Sequence, residues 1–169
     1  MTSVLIWLEE SWLSVLIREE PSLFGFPFIL FLHTLGLAML AGVSVALALW
    51  LLRQRRVEQA ANVRGLVQTM WLGFGINTLS GLLLLLAYPA KALTNPVFYV
   101  KLVLVALGVY AIARINRELF PRGTAAPGTI VSTAARGWAF ASLFIWTGTI
   151  FTGRLLAYTN SVLFGSELV

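Results

Sequence analysis

The amino-acid sequence predicts an all-α fold, specifically an integral membrane four-helix bundle, and three observations carry that prediction. Hydrophobic residues fill 59% of the 169 positions and charged residues only 11%, giving a mean hydropathy of +0.86 that no soluble domain of this size needs. Four nearly uncharged runs each approach the roughly 20 residues with which a helix crosses hydrocarbon. Finally, most of the basic residues crowd two short links between those runs, the charge asymmetry of membrane insertion. A transmembrane barrel would instead show strands of about 10 residues in strict alternation.

Residues 1–24 form the first element, an amphipathic N-terminal segment. Glu9, Glu10, Glu19 and Glu20 occupy the place of the basic region that opens a cleavable signal. Leu5, Leu8, Trp12, Val15 and Leu16 recur at helical spacing, as in a helix lying on the membrane interface or against the bundle, and Trp7 and Trp12 suit that interface. Residues 25–169 then form one four-helix membrane domain with spans at 26–52, 66–88, 96–115 and 137–158. Between spans three and four, Pro121 to Thr133 combines two prolines, two glycines and four Ser/Thr residues, the composition of a flexible loop.

Arg53, Arg55, Arg56 and Arg64 lie in the link between spans one and two, and Arg114, Arg117, Arg122 and Arg136 in the link between spans three and four, so eight of the 12 basic residues share one side. The positive-inside rule makes that side cytoplasmic and puts both termini and the Ala90–Asn95 loop outside. Accordingly the net charge of +5 reflects insertion into a lipid bilayer with anionic headgroups and gives no reason to expect nucleic acid. The absence of cysteine excludes disulfides, thiolate metal sites, iron–sulfur clusters and covalent c-type haem.

Three cations break the apolar runs. Counted at 1.5 Å per residue from the outer end of each span, His33 lies about 10 Å deep, Lys101 about 8 Å and Arg154 about 6 Å. On the same scale Ser80 and Asn77 come to roughly 12 and 16 Å. Ionisable groups at such depths line a cavity, pair, or snorkel to the surface, so a shared band in the outer third marks a candidate site. Small residues gather there: Gly73, Asn77 and Gly81 recur at spacing four in span two and Thr149 and Gly153 in span four, grooves that admit a neighbouring helix or a flat ligand.

His33-Thr-Leu-Gly36, Gly73-Phe-Gly-Ile-Asn-Thr-Leu-Ser-Gly81, Asn95-Pro-Val-Phe-Tyr-Val-Lys101, Ser142-Leu-Phe-Ile-Trp146 and Gly153-Arg-Leu-Leu-Ala-Tyr158 together resemble an uncharacterised bacterial family of four-helix integral membrane proteins. More distantly the chain is similar to the copper-resistance D membrane proteins and to four-helix b-type cytochromes. The resemblance implies a multi-pass protein of the bacterial cytoplasmic membrane. It departs from two-haem cytochromes in having one histidine, and from copper carriers in having only Met39 and Met70 as internal methionines.

Four functional readings follow. In the first, haem b takes His33 as its axial metal ligand, Lys101 and Arg154 pair with the propionates, and the grooves around Gly81 accept the macrocycle, with a second ligand from another subunit or none. In the second, His33, Asn77 and Lys101 hydrogen-bond the carbonyls of a quinone whose tail leaves between helices. A third is a non-enzymatic accessory subunit, either a homo-oligomer or part of a larger membrane complex, in which the cations snorkel and His33 makes a buried hydrogen bond. Metal or proton transport ranks last, because all seven acids stand at termini or in links, leaving no relay within a span, and the same absence excludes a Ser-His-acid hydrolase.

Overall fold

The computed structural model describes residue 7 and residues 10–19, 25–53, 56–57, 60–120 and 129–163. Leu5, Leu8, Glu9 and Glu20 of the N-terminal segment, Arg55, and residues 121–128 of the long loop lie outside the described residues. Four helical spans are long and apolar enough to cross a membrane: Phe26–Arg53, Val63–Ala87, Pro96–Leu119 and Thr133–Leu156.

The first helix bounded within the described residues is α1 (Trp12–Glu19). Span one consists of α2 (Phe26–Leu37), a π-helical turn at Ala38–Gly42, and α3 (Val43–Arg53). Span two lies in α4 (Ala60–Ala87), followed by the one-turn helix α5 (Pro89–Leu93). Span three is α6 (Pro96–Leu119) and span four lies in α7 (Thr133–Leu163). Apart from helices, the described residues form one short antiparallel ladder, in which β1 (Arg56–Val57) pairs with β2 (Thr129–Ile130) through Arg56↔Ile130 and Val57↔Thr129. The sequence marks both segments only as basic or flexible links. Unpaired main-chain groups drive the pairing once the helices bring the links together.

Helix starts follow local chemistry. Pro89 and Pro96 open α5 and α6, where the missing N–H costs nothing and φ is preset. Asn95 caps α6 by accepting from the Val97 N–H at 3.0 Å, and Ser132 caps α7 by accepting from the Ala135 N–H at 3.0 Å. The α6 helix continues past Ile115 to Leu119, so Arg114, Arg117 and Glu118 ride its last turns rather than a link. Ser132 Oγ donates to Glu118 Oε2 at 3.1 Å, tying the end of span three to the start of span four.

Packing is unequal along the bundle. Span two lies on span one and span three on span four, while the two pairs meet chiefly where α3 packs on the first half of α7. This joint is at the arginine-bearing end. Leu47, Leu51, Met70, Ile115, Leu119 and Trp146 belong to the large buried cluster there. Towards the other end, which carries α5, spans one and two contact spans three and four little. Each pair instead closes on itself. Ser14 of α1 donates to the Ala87 carbonyl at 3.2 Å and Ile17 packs with Ile29 and Ala87, whereas Asn95 Nδ2 donates to Thr159 Oγ1 at 2.8 Å.

Large apolar side chains such as Phe31, Leu79, Val103, Phe144 and Phe151 are exposed around the perimeter. In water that surface would aggregate, whereas facing lipid it is solvated without cost.

Candidate functional site

At the α5 end, His33 of span one and Lys101 of span three meet across the boundary between the two helix pairs. The wall on spans one and two is built by close approach. At Gly36 an added Cβ would stand 2.6 Å from the Asn77 main-chain nitrogen, and at Gly73 it would stand 2.6 Å from Met39 Cβ and 2.8 Å from the Leu40 nitrogen. Only hydrogen fits at either position, so the two backbones touch and the side chains beside the crossing are held at fixed depth.

His33 is the product of that crossing. Its Nδ1 lies 3.1 Å from the Asn77 carbonyl oxygen and 3.1 Å from Ser80 Oγ. A carbonyl only accepts, so Nδ1 carries the proton. Ser80 agrees, because its own hydroxyl donates to the Ile76 carbonyl at 2.6 Å and leaves its lone pairs for the imidazole. Asn77 Nδ2 in return donates to the His33 carbonyl at 2.8 Å. Gly81 lies against the ring edge, where an added Cβ would stand 3.2 Å from Cε1. The imidazole is therefore held on one side by a proton it donates, with a bare Nε2 lone pair turned towards the other helix pair.

Lys101 meets that lone pair from α6. Its Nζ donates to His33 Nε2 at 3.4 Å, a long bond, and among the described residues it has no carboxylate partner, the ion pair of Arg114 with Glu118 at 3.8 Å lying at the opposite end of α6. Gly153 of α7 flanks the lysine chain, with an added Cβ 3.9 Å from Cε. Two glycines thus make room for the two partners, Gly81 for the edge of the imidazole and Gly153 for the lysine stem. Further inward, Leu40, Met70, Trp71, Phe74, Val109 and Ile112 line a shallow apolar crevice where spans two and three part.

His33, Asn77, Gly81 and Lys101 come together as one cluster. Arg154 does not join it: the residue is exposed on α7, one position beyond Gly153, and makes no hydrogen bond or ion pair among the described residues. Ser80, in the same depth band but given no ligand role by any of the sequence readings, joins them as a direct partner of the imidazole, three residues after Asn77 on the same helix face. Among the described residues no three His, Cys, Asp or Glu side chains gather as a metal site, so any metal here would take a single imidazole from the set and complete its coordination otherwise. Comparison with known proteins yields no matching family model, no matching curated protein and no matching solved structure.

Proposed function

We propose that the protein is a small membrane subunit that holds haem b between its two helix pairs, with His33 as an axial ligand. One observation supports this above the rest: His33 donates Nδ1–H to the Asn77 carbonyl and turns its Nε2 lone pair towards Lys101 of the other helix pair. A metal-binding histidine is normally anchored in this way, its other ring nitrogen donating to a carbonyl that fixes tautomer and orientation. The donor chemistry fits the group. A neutral imidazole suits haem iron, and a cation with no carboxylate partner among the described residues suits an anionic cofactor in low dielectric; the His33–Lys101 contact would have to open to admit the macrocycle.

Bound there, haem supplies one-electron redox chemistry. The protein's own residues do the rest: Asn77 and Ser80 immobilise the imidazole, the Gly36–Gly73 crossing sets its depth, and the apolar core at the arginine-bearing end closes the floor. We further read the arginine-bearing end as cytoplasmic, with both termini outside and α1 lying as an amphipathic helix at the outer interface of a bacterial cytoplasmic membrane.

A quinone is the second reading, favoured by the apolar crevice at Leu40, Met70 and Trp71, which offers a tail an exit to lipid below the polar groups. The deciding experiment is an absorption spectrum and pyridine-haemochrome assay on protein purified in mild detergent, followed by extraction of quinones. We expect haem in the wild type and its loss in His33→Leu with the bundle still folded. Protein that carries neither haem nor quinone, and a His33→Leu variant at least as stable as wild type, would overturn the cofactor reading and leave an accessory subunit.

A further inference from the structure

The opposite end of span three carries a cation whose donors the protein leaves largely unused. Arg114 lies in the last turns of α6, its side chain 34% exposed, and its guanidinium stands 5.9 Å from the centroid of the Trp138 ring of α7. Tyr110, one turn back along α6, meets the same indole edge to face at 5.3 Å. The stack holds the guanidinium by cation–π attraction without using its N–H groups. Its ion pair with Glu118 is 3.8 Å long, beyond hydrogen-bonding range, and its Nε is buried with no hydrogen-bond partner. Glu118, one turn nearer the helix end, accepts from Ser132 Oγ instead, at 3.1 Å. A guanidinium has five N–H donors and accepts nothing, so an oxyanion is the group that Arg114 lacks.

Below Arg114 the same helix face is a lipid-facing stripe. Val103, Leu107 and Tyr110 are exposed and, with Arg114, recur at spacings of four, three and four, which keeps them on one side of an α-helix. From Val103 to Arg114 the stripe rises about 16 Å at 1.5 Å per residue. One leaflet, half of a hydrocarbon core about 30 Å thick, has nearly the same depth. An acyl chain laid along the stripe therefore ends with its headgroup phosphate at Arg114.

We propose that this stripe and Arg114 form a binding site for one anionic phospholipid of the leaflet at the arginine-bearing end, its phosphodiester received by the Arg114 guanidinium beside Trp138. The phosphate approaches from the Tyr110 side, away from Glu118, and its hydrogen bonds with the guanidinium are charge-assisted. Charge complementarity selects the anionic headgroup. Arg117, three residues on and on the same side of α6, is exposed and adds a second positive charge against the single carboxylate of Glu118. The site stands apart from His33 and Lys101 and does not depend on what they bind.

The test uses the full-length protein in mild detergent, mixed with equal amounts of dioleoylphosphatidylglycerol and dioleoylphosphatidylcholine, and native mass spectrometry reads which lipid stays bound. One phosphatidylglycerol should be retained in preference to phosphatidylcholine. A basic side chain beside anionic lipid is worth about fivefold in affinity, so Arg114→Gln should weaken retention by about that factor. Arg53→Gln, at an exposed arginine on α3, should leave it unchanged. Glu118→Gln should strengthen retention, because it removes the carboxylate that competes for the guanidinium, whereas loss of a merely structural ion pair would not. Inorganic phosphate should fail to displace the lipid. Equal retention of the two lipids, unchanged retention in Arg114→Gln, an equal loss in Arg53→Gln or a weaker hold in Glu118→Gln would overturn the proposal. Displacement by inorganic phosphate would also overturn it, in favour of a free-anion site. If Arg114→Gln does not fold, the wild-type preference and the direction of the Glu118→Gln change decide.

Discussion

Replacing Gly36 with alanine should force spans one and two apart and destabilise the bundle. The new Cβ would stand 2.6 Å from the Asn77 nitrogen and 2.9 Å from its Cα, both main-chain atoms of a helix and unable to rotate away. Ordinary contact begins near 3.4 Å, so the backbones must separate by about 0.8 Å. A rigid shift of that size stretches the Asn77 Nδ2 donation to the His33 carbonyl from 2.8 Å to about 3.6 Å, outside hydrogen-bonding range. Overpacking costs about 1–3 kcal/mol, and a lost interhelical hydrogen bond in a membrane adds about 0.6–1.7 kcal/mol. Gly75→Ala is the control, since that position is exposed with nothing within 4 Å, and both variants gain the same helix propensity. The expected difference between them is thus roughly 2–5 kcal/mol, read from reversible unfolding in mixed micelles of mild detergent and dodecyl sulfate. If Gly36→Ala unfolds within about 0.5 kcal/mol of Gly75→Ala, an error-sized surface effect, the close crossing that positions His33 is not there.

Asn95→Ala removes a helix cap and the tie to Thr159 at once, and should cost about 1–2 kcal/mol, visible as faster hydrogen exchange confined to the start of α6. Gly108→Ala drives a Cβ to 2.7 Å from Trp146 Cζ2 and should destabilise the joint between spans three and four; adding Trp146→Phe should relieve much of that loss, and strict additivity of the two changes would refute the contact. For topology, a phosphatase fused after Val169 should be active outside the cell membrane, and cytoplasmic activity would reverse the sidedness proposed here.

The four spans were legible because membrane insertion writes itself on composition: a long charge-free run has few foldings open to it. Span ends were less so. The α6 helix runs on through Arg114, Arg117 and Glu118 because long cations at a helix terminus can lay their stems along the bundle while their heads reach water, so charge marks the end of the hydrocarbon and not the end of the helix. The π-helical turn at Ala38–Gly42 leaves still less trace. It follows the Gly36 crossing within two residues, and Ser44 Oγ donates back to the Leu40 carbonyl inside it, but such back-bonding serines are common in regular membrane helices too.

Depth and azimuth explain what was and was not readable at the site. Counting residues along a span gives depth, and depth grouped His33, Lys101, Arg154, Asn77 and Ser80 in one band, of which the structure brings all but Arg154 into contact. Azimuth depends on which faces the helices turn to one another, and two spans touching at Gly36 and Gly73 settle that for span one only after the crossing is known. Arg154 shows the difference. It follows directly after Gly153, a step that turns the helix by about 100°, and while Gly153 faces the Lys101 stem the Arg154 side chain is exposed. The same step explains why Gly81 and Ser80 both serve His33 from adjacent positions: Ser80 accepts the Nδ1–H while Gly81, around the helix from it, merely makes room for the Cε1 edge of the ring. A side chain at position 81 would therefore act by volume and a change at position 80 by hydrogen bonding. Gly81→Val should displace the imidazole whatever its partners, whereas Ser80→Ala should leave it in place on the Asn77 carbonyl alone.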